Sequence, residues 1–265
     1  MRKFALLLFS VFLISSVSAQ TVITKDFNDY NEGQNLNGQD NWVARAHSAG
    51  GGQLMVDYLG DGLPTTPDET LGVFFNTGNT NFGEIATHKS TPDFQFDFSS
   101  GGTIEIELDV HRNWWGSLFG VGYDADGDGV VLPPMNYETT NPHPNLPSQD
   151  GGIYFVTTGQ DERPMFINGV VLPNNTLPVD FDFDFGGWTR WKIMIDLEAN
   201  DRAGSVTLFA DHGCTGEFQP VPEIQGLNAG LTPGSGDRHD PAMWDGIFFL
   251  NSSKAAYDNL LVRHI

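Results

Sequence analysis

An all-β chain, of the length of a two-sheet antiparallel sandwich and with long rim loops, is what the sequence predicts, and three observations predict it. Short runs in which β-branched and aromatic residues alternate with polar ones recur throughout. No stretch of about 12 residues carries the 3.6-residue apolar period of a helix. Gly (31) and Pro (15) punctuate the runs, as many short strands need turns. The clearest strands, in order, are Thr103–His111, Ser117–Tyr123, Gly152–Thr157, Trp191–Leu197, Ser205–Ala210, Gly246–Leu250 and Ala256–Arg263. The alternation Asp180-Phe-Asp-Phe-Asp-Phe185 reads as an edge strand. Two segments break the pattern: Met135–Asp150, with three prolines and three asparagines, and the Gly- and Pro-rich Cys214–Pro241. Loops of that length inside a domain are more often functional than idle, so they are the expected binding rim.

The N-terminus has the form of a secretory signal: Arg2-Lys3, an apolar run from Phe4 to Ile14, then Ser15-Ser-Val-Ser-Ala19. Cleavage is expected near Ala19, leaving one domain over 20–265, outside the cytoplasm in the periplasm or the extracellular medium. The apolar run falls short of the about 20 residues a membrane span needs, so no membrane insertion is expected. Cys214 is the sole cysteine, which leaves no internal disulfide, and the thiol has no recognisable nucleophile signature around it. Gly-x-Ser-x-Gly is absent, and the Gly-rich Leu231-Thr-Pro-Gly-Ser-Gly236 lacks the Lys of a phosphate loop. The formal charge is −21, and removal of Arg2 and Lys3 with the signal leaves −23. Such acidity argues against nucleic acid as a partner, since phosphate binding needs a basic footprint. No protein partner is implied.

The ends of the chain carry a family likeness. Asp26-Phe-Asn-Asp-Tyr30 with Leu36-Asn-Gly-Gln-Asp-Asn-Trp42 at the start, and Tyr257-Asp-Asn-Leu-Leu-Val262 at the finish, resemble the concanavalin A-like lectin/glucanase (laminin-G-like) jelly rolls of secreted bacterial proteins. The resemblance implies a two-sheet antiparallel β-jelly-roll sandwich with its first and last strands lying side by side, and a polysaccharide as partner. The family includes hydrolases, lyases, lectins and non-catalytic modules, so fold does not choose among them. Two alginate lyase signatures of jelly rolls, Arg-x-Glu-Leu-Arg and Gln-Ile-His, are absent.

Three constellations could carry chemistry. In Thr103–His111 the period of two places Ile104, Ile106, Leu108 and Val110 on one face and Glu105, Glu107, Asp109 and His111 on the other. The polar set resembles the Glu-x-Asp-x-Glu strand of retaining glucanases, whose outer carboxyls stand about 5–5.5 Å apart, with its middle and last positions exchanged. The alternative is an outward strand dressed with acids for solubility. Next comes His111-Arg112-Asn113-Trp114-Trp115, where a sugar could stack on an indole and a carboxylate pair with Arg112. With Tyr257 and Lys254, these are the residue types that neutralise, deprotonate and protonate a uronate in β-elimination. His111, Arg112, Asn113 and Tyr257 are therefore the catalytic candidates, and Trp114, Trp115, Lys254, Glu105, Glu107 and Asp109 the substrate contacts. His143, His212 and His239 are further candidates. Third, Asp124-Ala-Asp126-Gly-Asp128-Gly129 spaces carboxylates as in the first half of an EF-hand loop, but Met135 stands where its bidentate Glu belongs. A structural calcium is expected there, and a second at Asp26 with Asp258, as in some relatives. The leading expectation is a polysaccharide lyase on an anionic, uronic-acid-containing polymer of the ulvan type. Its alternatives are a non-catalytic carbohydrate-binding or adhesion protein and a glycoside hydrolase built on Glu105, Glu107 and Asp109.

Overall fold

The computed structural model describes residues 21–46, 54–58, 71–75, 84–89, 101–111, 117–131, 150–157, 165–167, 170–171, 187–222, 224–237, 239–251 and 256–265. Their strands form two antiparallel sheets, the jelly-roll sandwich expected of the sequence. The nine-stranded sheet contains β1 (Thr21–Lys25), β3 (Leu54–Tyr58), β4 (Leu71–Phe75), β6 (Thr103–His111), β11 (Trp188–Asp196), β12 (Ser205–His212), β13 (Gln219–Pro220), β14 (Leu227–Asn228) and β16 (Ala256–His264). The seven-stranded sheet contains β2 (Trp42–Ala46), β5 (Glu84–Lys89), β7 (Ser117–Tyr123), β8 (Gly151–Thr157), β9 (Met165–Ile167), β10 (Val170–Val171) and β15 (Gly246–Asn251). Among the described residues no helix is long and apolar enough to cross a membrane.

Each expected strand that lies within the described residues is present, within three residues at either end. Segments 180–185 and 135–149 lie outside them. Cys214–Pro241 departs from the expected loop. Part of it is drawn against β12, where β13 and β14 both pair and Gln225 Nε2 donates to the carbonyls of Leu208 and Val221. Covering an edge strand in this way satisfies backbone groups that would otherwise template a foreign strand.

Between the sheets lies a core built by alternation. Ile104, Ile106, Leu108 and Val110 of β6 meet Trp191, Ile193 and Ile195 of β11 and Val206 and Leu208 of β12, with Phe119, Val121, Ile247 and Phe249 from the other sheet. Where the β7 and β8 backbones approach, only glycine fits: a Cβ at Gly122 would stand 2.3 Å from the Gly151 carbonyl oxygen.

The chain ends meet as the resemblance implies, Thr21 opposite His264 through Lys25 opposite Leu260. The opening motif is a structural staple. Trp42 Nε1 donates to the Tyr30 hydroxyl at 3.0 Å, which donates to Asp40 at 2.8 Å. Gln39 Oε1 accepts from the Asn31 amide at 2.7 Å, and Gly38, at φ 82°, returns its N–H to the Trp42 carbonyl. Phe27, Trp42, Phe249 and Tyr257 then follow one another at centroid separations of 6.2, 4.8 and 4.6 Å. This aromatic column ties the N-terminal segment through the seven-stranded sheet to the last strand of the other.

Beside the column His88 is fully buried, edge-on to Trp42 at 5.2 Å. Burial, reinforced by the Lys25 cation, pushes its imidazole down to about 4 against the opposing pull of Asp40. The unfolded chain therefore takes up this proton near pH 6.5 and the folded chain only near 4, so stability is complete above about pH 6.5 and falls as pH drops. The expected loss is about 3 kcal/mol between those limits. Urea midpoints measured from pH 7 to 4 should show this slope, and His88→Gln should flatten it; an unchanged slope in the variant would place the acid sensitivity elsewhere.

Candidate functional site

β6 sits at the centre of the nine-stranded sheet, with β11 on one side and β16 on the other. Its polar face is not a solvated one. Asp109 is fully buried, and Glu105, Glu107 and His111 are 6%, 9% and 8% exposed. Burying carboxylates in this way is tolerated only with partners, and register supplies them. Arg190 lies directly opposite Asp109, Lys192 opposite Glu107, and Arg263 opposite Glu105. Arg190 donates to Asp109 through Nε at 2.6 Å and through a terminal nitrogen at 2.7 Å, a bidentate fork. Lys192 Nζ stands 2.6 Å from Glu107, and Arg263 pairs with Glu105 and lies 3.6 Å from Glu107. The acid side chains are 0–11% exposed and the cations 17–34%, so the cations stand nearer the solvent.

A bulge in β16 between Asp258 and Leu261 shapes the same face. It turns Asn259, at φ 51°, so that Nδ2 donates to Asp109 at 3.0 Å. Asp258, also fully buried, is the register partner of Asp109 and accepts from the Asn259 amide. The turn after β12 closes this end of the sheet. Asp211, fully buried, accepts from Thr215 N, Thr215 Oγ1 and Gly216 N at 2.7–2.9 Å, and Gly213 N donates to the Trp188 carbonyl. Cys214 thereby packs on Trp188 and Ala256. Burial first, and then the Asp109 carboxylate, pushes its thiol pKa up, which disfavours the thiolate that a nucleophile needs. Trp188, 8% exposed, meets the His111 ring edge-on at 5.4 Å, and its buried indole N–H has no hydrogen-bond partner among the described residues.

The sequence-derived candidates are thus divided. Glu105, Glu107, Asp109 and His111 do share one face. Tyr257 does not join them: it is fully buried, stacks on Phe249, and pairs in register with the core-facing Val110, so it lies on the opposite side of the sheet from His111. Its role as a catalytic partner of His111 is corrected accordingly. The bulge explains the difference, because it breaks parity within β16: Tyr257 and Leu260 both face the core although three residues apart. Arg112, Asn113, Trp114, Trp115, Lys254 and His143 lie outside the described residues. His212 is exposed, 3.4 Å from Thr189 Oγ1, and His239 lies in the turn held by Asp237. Arg190, Lys192, Arg263, Trp188 and Asn259 escaped the sequence. The alternation Trp188-x-Arg190-x-Lys192 was the visible signal, but only pairing with β6 shows which acids it meets.

Asp124, Asp126 and Asp128 converge as the spacing implies, with ligand oxygens within 4.8 Å of one another, so this group could hold a metal ion. The donors are hard oxygens, suited to such a cation. Two of the three are already neutralised, Asp124 by Lys89 at 2.7 Å and Asp128 by Arg45. Asp124 also accepts from the amides of Gly127, Asp128 and Gly129, and these bonds with the Lys89 contact hold its carboxyl below the usual range despite burial. Asp26 and Asp258 have separate surroundings: Asp26 is exposed and caps the Asn28 amide, whereas Asp258 is buried beside Asp109.

No protein-family model and no curated protein sequence matches the chain. Among solved structures it is similar to arcelin-5, a lectin-like defense protein from Phaseolus vulgaris, at 12% identity and TM-score 0.49, over 93% of this chain and 99% of that one. It is similar to a carbohydrate esterase from the Shiga toxin-encoding bacteriophage phi24B at 12% identity and TM-score 0.45, covering 91% and 97%. It is similar to the Bacillus licheniformis β-glucanase at 13% identity and TM-score 0.37, covering 92% and 97%. None of the three gives any residue of this chain a role.

Removing Arg190 leaves Asp109 buried without its cation. Arg190→Ala should cost about 3 kcal/mol in a urea titration, and the double variant Asp109→Leu/Arg190→Met should recover most of it. Equal losses in both would show that packing, not charge, sets the cost.

Proposed function

We propose that the protein is an exported carbohydrate-binding protein whose glycan lies along the polar face of the nine-stranded sheet. The observation that carries this is the row Trp188, Arg190, Lys192 on β11, continued by Arg263 on β16: an indole whose N–H has no partner among the described residues, followed by cations that stand above the carboxylates they neutralise. A glycan approaching this face meets donors before acceptors. Ring oxygens and hydroxyls can accept from the indole, and a sugar carboxylate can take a guanidinium edge, which favours an acidic polysaccharide. The signal-like N-terminus and the lectin/glucanase likeness of the terminal motifs support the same assignment.

A lyase is the second reading, favoured by His111 on this face, with Arg112 and Asn113 following it in the chain. The core position of Tyr257 weighs against it. The hydrolase reading loses support because Glu105, Glu107 and Asp109 are each engaged by a cation from a neighbouring strand.

For the Asp124 loop the proposed ion is calcium, in a structural role, with Lys89 competing for Asp124. Calcium should then raise the melting temperature of Lys89→Met more than that of the parent chain, as a ligand binding only the folded state must; equal or absent shifts would leave the loop metal-free.

The glycan assignment is tested by titrating the protein with polygalacturonate, alginate, ulvan and laminarin, following tryptophan fluorescence and the ultraviolet absorbance of unsaturated uronate together. Saturable binding of an acidic polymer without absorbance is expected, weakened about tenfold by Trp188→Phe, which keeps an aromatic ring and deletes the N–H. Growing absorbance on one polymer would establish the lyase instead. Failure to bind any of the four would sink the assignment.

A further inference from the structure

The opening motif builds more than a staple. Its outer side lines a cleft of about 510 Å³ walled by Thr24, Lys25, Asp26, Asp29, Tyr30, Asn31, Gln39 and Asp40. Thr24, the register partner of Leu261, lies on the polar side of the nine-stranded sheet, but none of Trp188, Arg190, Lys192 and Arg263 lines the cleft. We propose that this cleft is a second, independent saccharide site, which takes a hydroxyl-rich ring that is uncharged or carries an amine and excludes anionic sugars.

Size, rigidity and charge each support this. The volume lies within the range of about 300–1,000 Å³ typical of small-ligand sites. The floor is fixed before any ligand arrives. Lys25 and the Tyr30 hydroxyl both bind Asp40, Trp42 holds Tyr30, and Gln39 is tied by its two ends to Asn31 and Asn35. A prearranged floor spares the ligand the ordering cost of a mobile one. The rim, by contrast, has unused valence. Asp29 is exposed and makes no hydrogen bond or ion pair among the described residues, Asp26 caps the Asn28 amide through one oxygen, and Asn31 spends its side-chain amide on Gln39 and keeps its oxygen.

These spare groups are acceptors lining one cleft, and the hydroxyls of a sugar ring supply the matching donors. Charge settles what else the ring carries. The lining holds Asp26, Asp29 and Asp40 against Lys25 alone, and Lys25 is already spent on Asp40. A carboxylate or sulfate would enter against this field, whereas a hydroxyl or ammonium would not. A bare divalent ion is a poorer match, since the acidic group whose ligand oxygens converge within 4.8 Å among the described residues is the Asp124 loop and not this one.

The test is a titration of ¹⁵N-labelled protein followed by NMR, with cellotriose, the β-1,4 glucosamine trimer, trigalacturonate and calcium chloride as separate probes. Cellotriose or the glucosamine trimer should shift the amides of residues 24–40. Asp29→Ala, which removes an exposed group without a structural partner, should weaken that response about fivefold, and Thr24→Ala provides a second variant at the rim. The proposal fails if neither trisaccharide shifts these amides, if trigalacturonate or calcium alone shifts them as strongly, or if both variants respond as the parent does. Because the readout is confined to residues 24–40, its failure is separate from failure of polygalacturonate binding, which is followed at tryptophan.

Discussion

The sandwich depends on how β6 solves one problem: a central strand has two buried faces, and here one of them carries three carboxylates. Ile104, Ile106, Leu108 and Val110 need no partner beyond the core. Glu105, Glu107 and Asp109 would be prohibitively costly to bury alone. Their cations arrive from both flanking strands, Arg190 and Lys192 from β11 and Arg263 from β16. A one-residue slip of β11 would send Arg190 and Lys192 into the core and Trp191 and Ile193 out of it, so the ion pairs and the apolar packing specify the same register. Strand order at the centre of the sheet is thereby fixed twice over, once by charge and once by packing.

That agreement explains what was legible in the sequence. Period-two alternation in Thr103–His111 assigned both faces of β6 correctly, because a strand without a bulge keeps parity from end to end. The terminal motifs were legible for a different reason. Asp26 to Trp42 folds largely on itself, through local hydrogen bonds among Tyr30, Asn31, Gln39, Asp40 and Trp42, so its sequence carries its own structure. Its partner Tyr257-Asp-Asn-Leu-Leu-Val262 closes the ladder with β1.

What could not be read is whatever depends on pairing between distant segments. Nothing local to Arg190 announces Asp109, 81 residues away, and nothing in β11 alone separates a solvated lysine from one held 2.6 Å from a buried glutamate. Tyr257 is the sharper case. Counting back by twos from the core residues Leu260 and Val262 turns Tyr257 outward and Asp258 inward, and the bulge at Asn259 reverses both. One extra residue thus moved a candidate acid–base group into the core and brought a second buried aspartate beside Asp109.

The same bulge sharpens the relation between stability and chemistry on this face. Asp258 and Asp109 are register partners on adjacent strands, both fully buried, and Arg190 with Asn259 answers Asp109 through three hydrogen bonds. Each bond that makes the pair tolerable also occupies an oxygen that acid–base catalysis would have to use. A retaining hydrolase needs one carboxyl free to attack and another free to give up a proton across a short gap. Here each carboxylate of β6 is instead part of the lattice that holds its strand in place. Freeing one for chemistry would remove a cation partner from a buried charge and weaken the centre of the sheet. Recognition makes no such demand, because it draws on the outward cations and the indole of Trp188, which the lattice positions without consuming. On this face, the arrangement that lets the strand be buried is the one that suits binding better than hydrolysis.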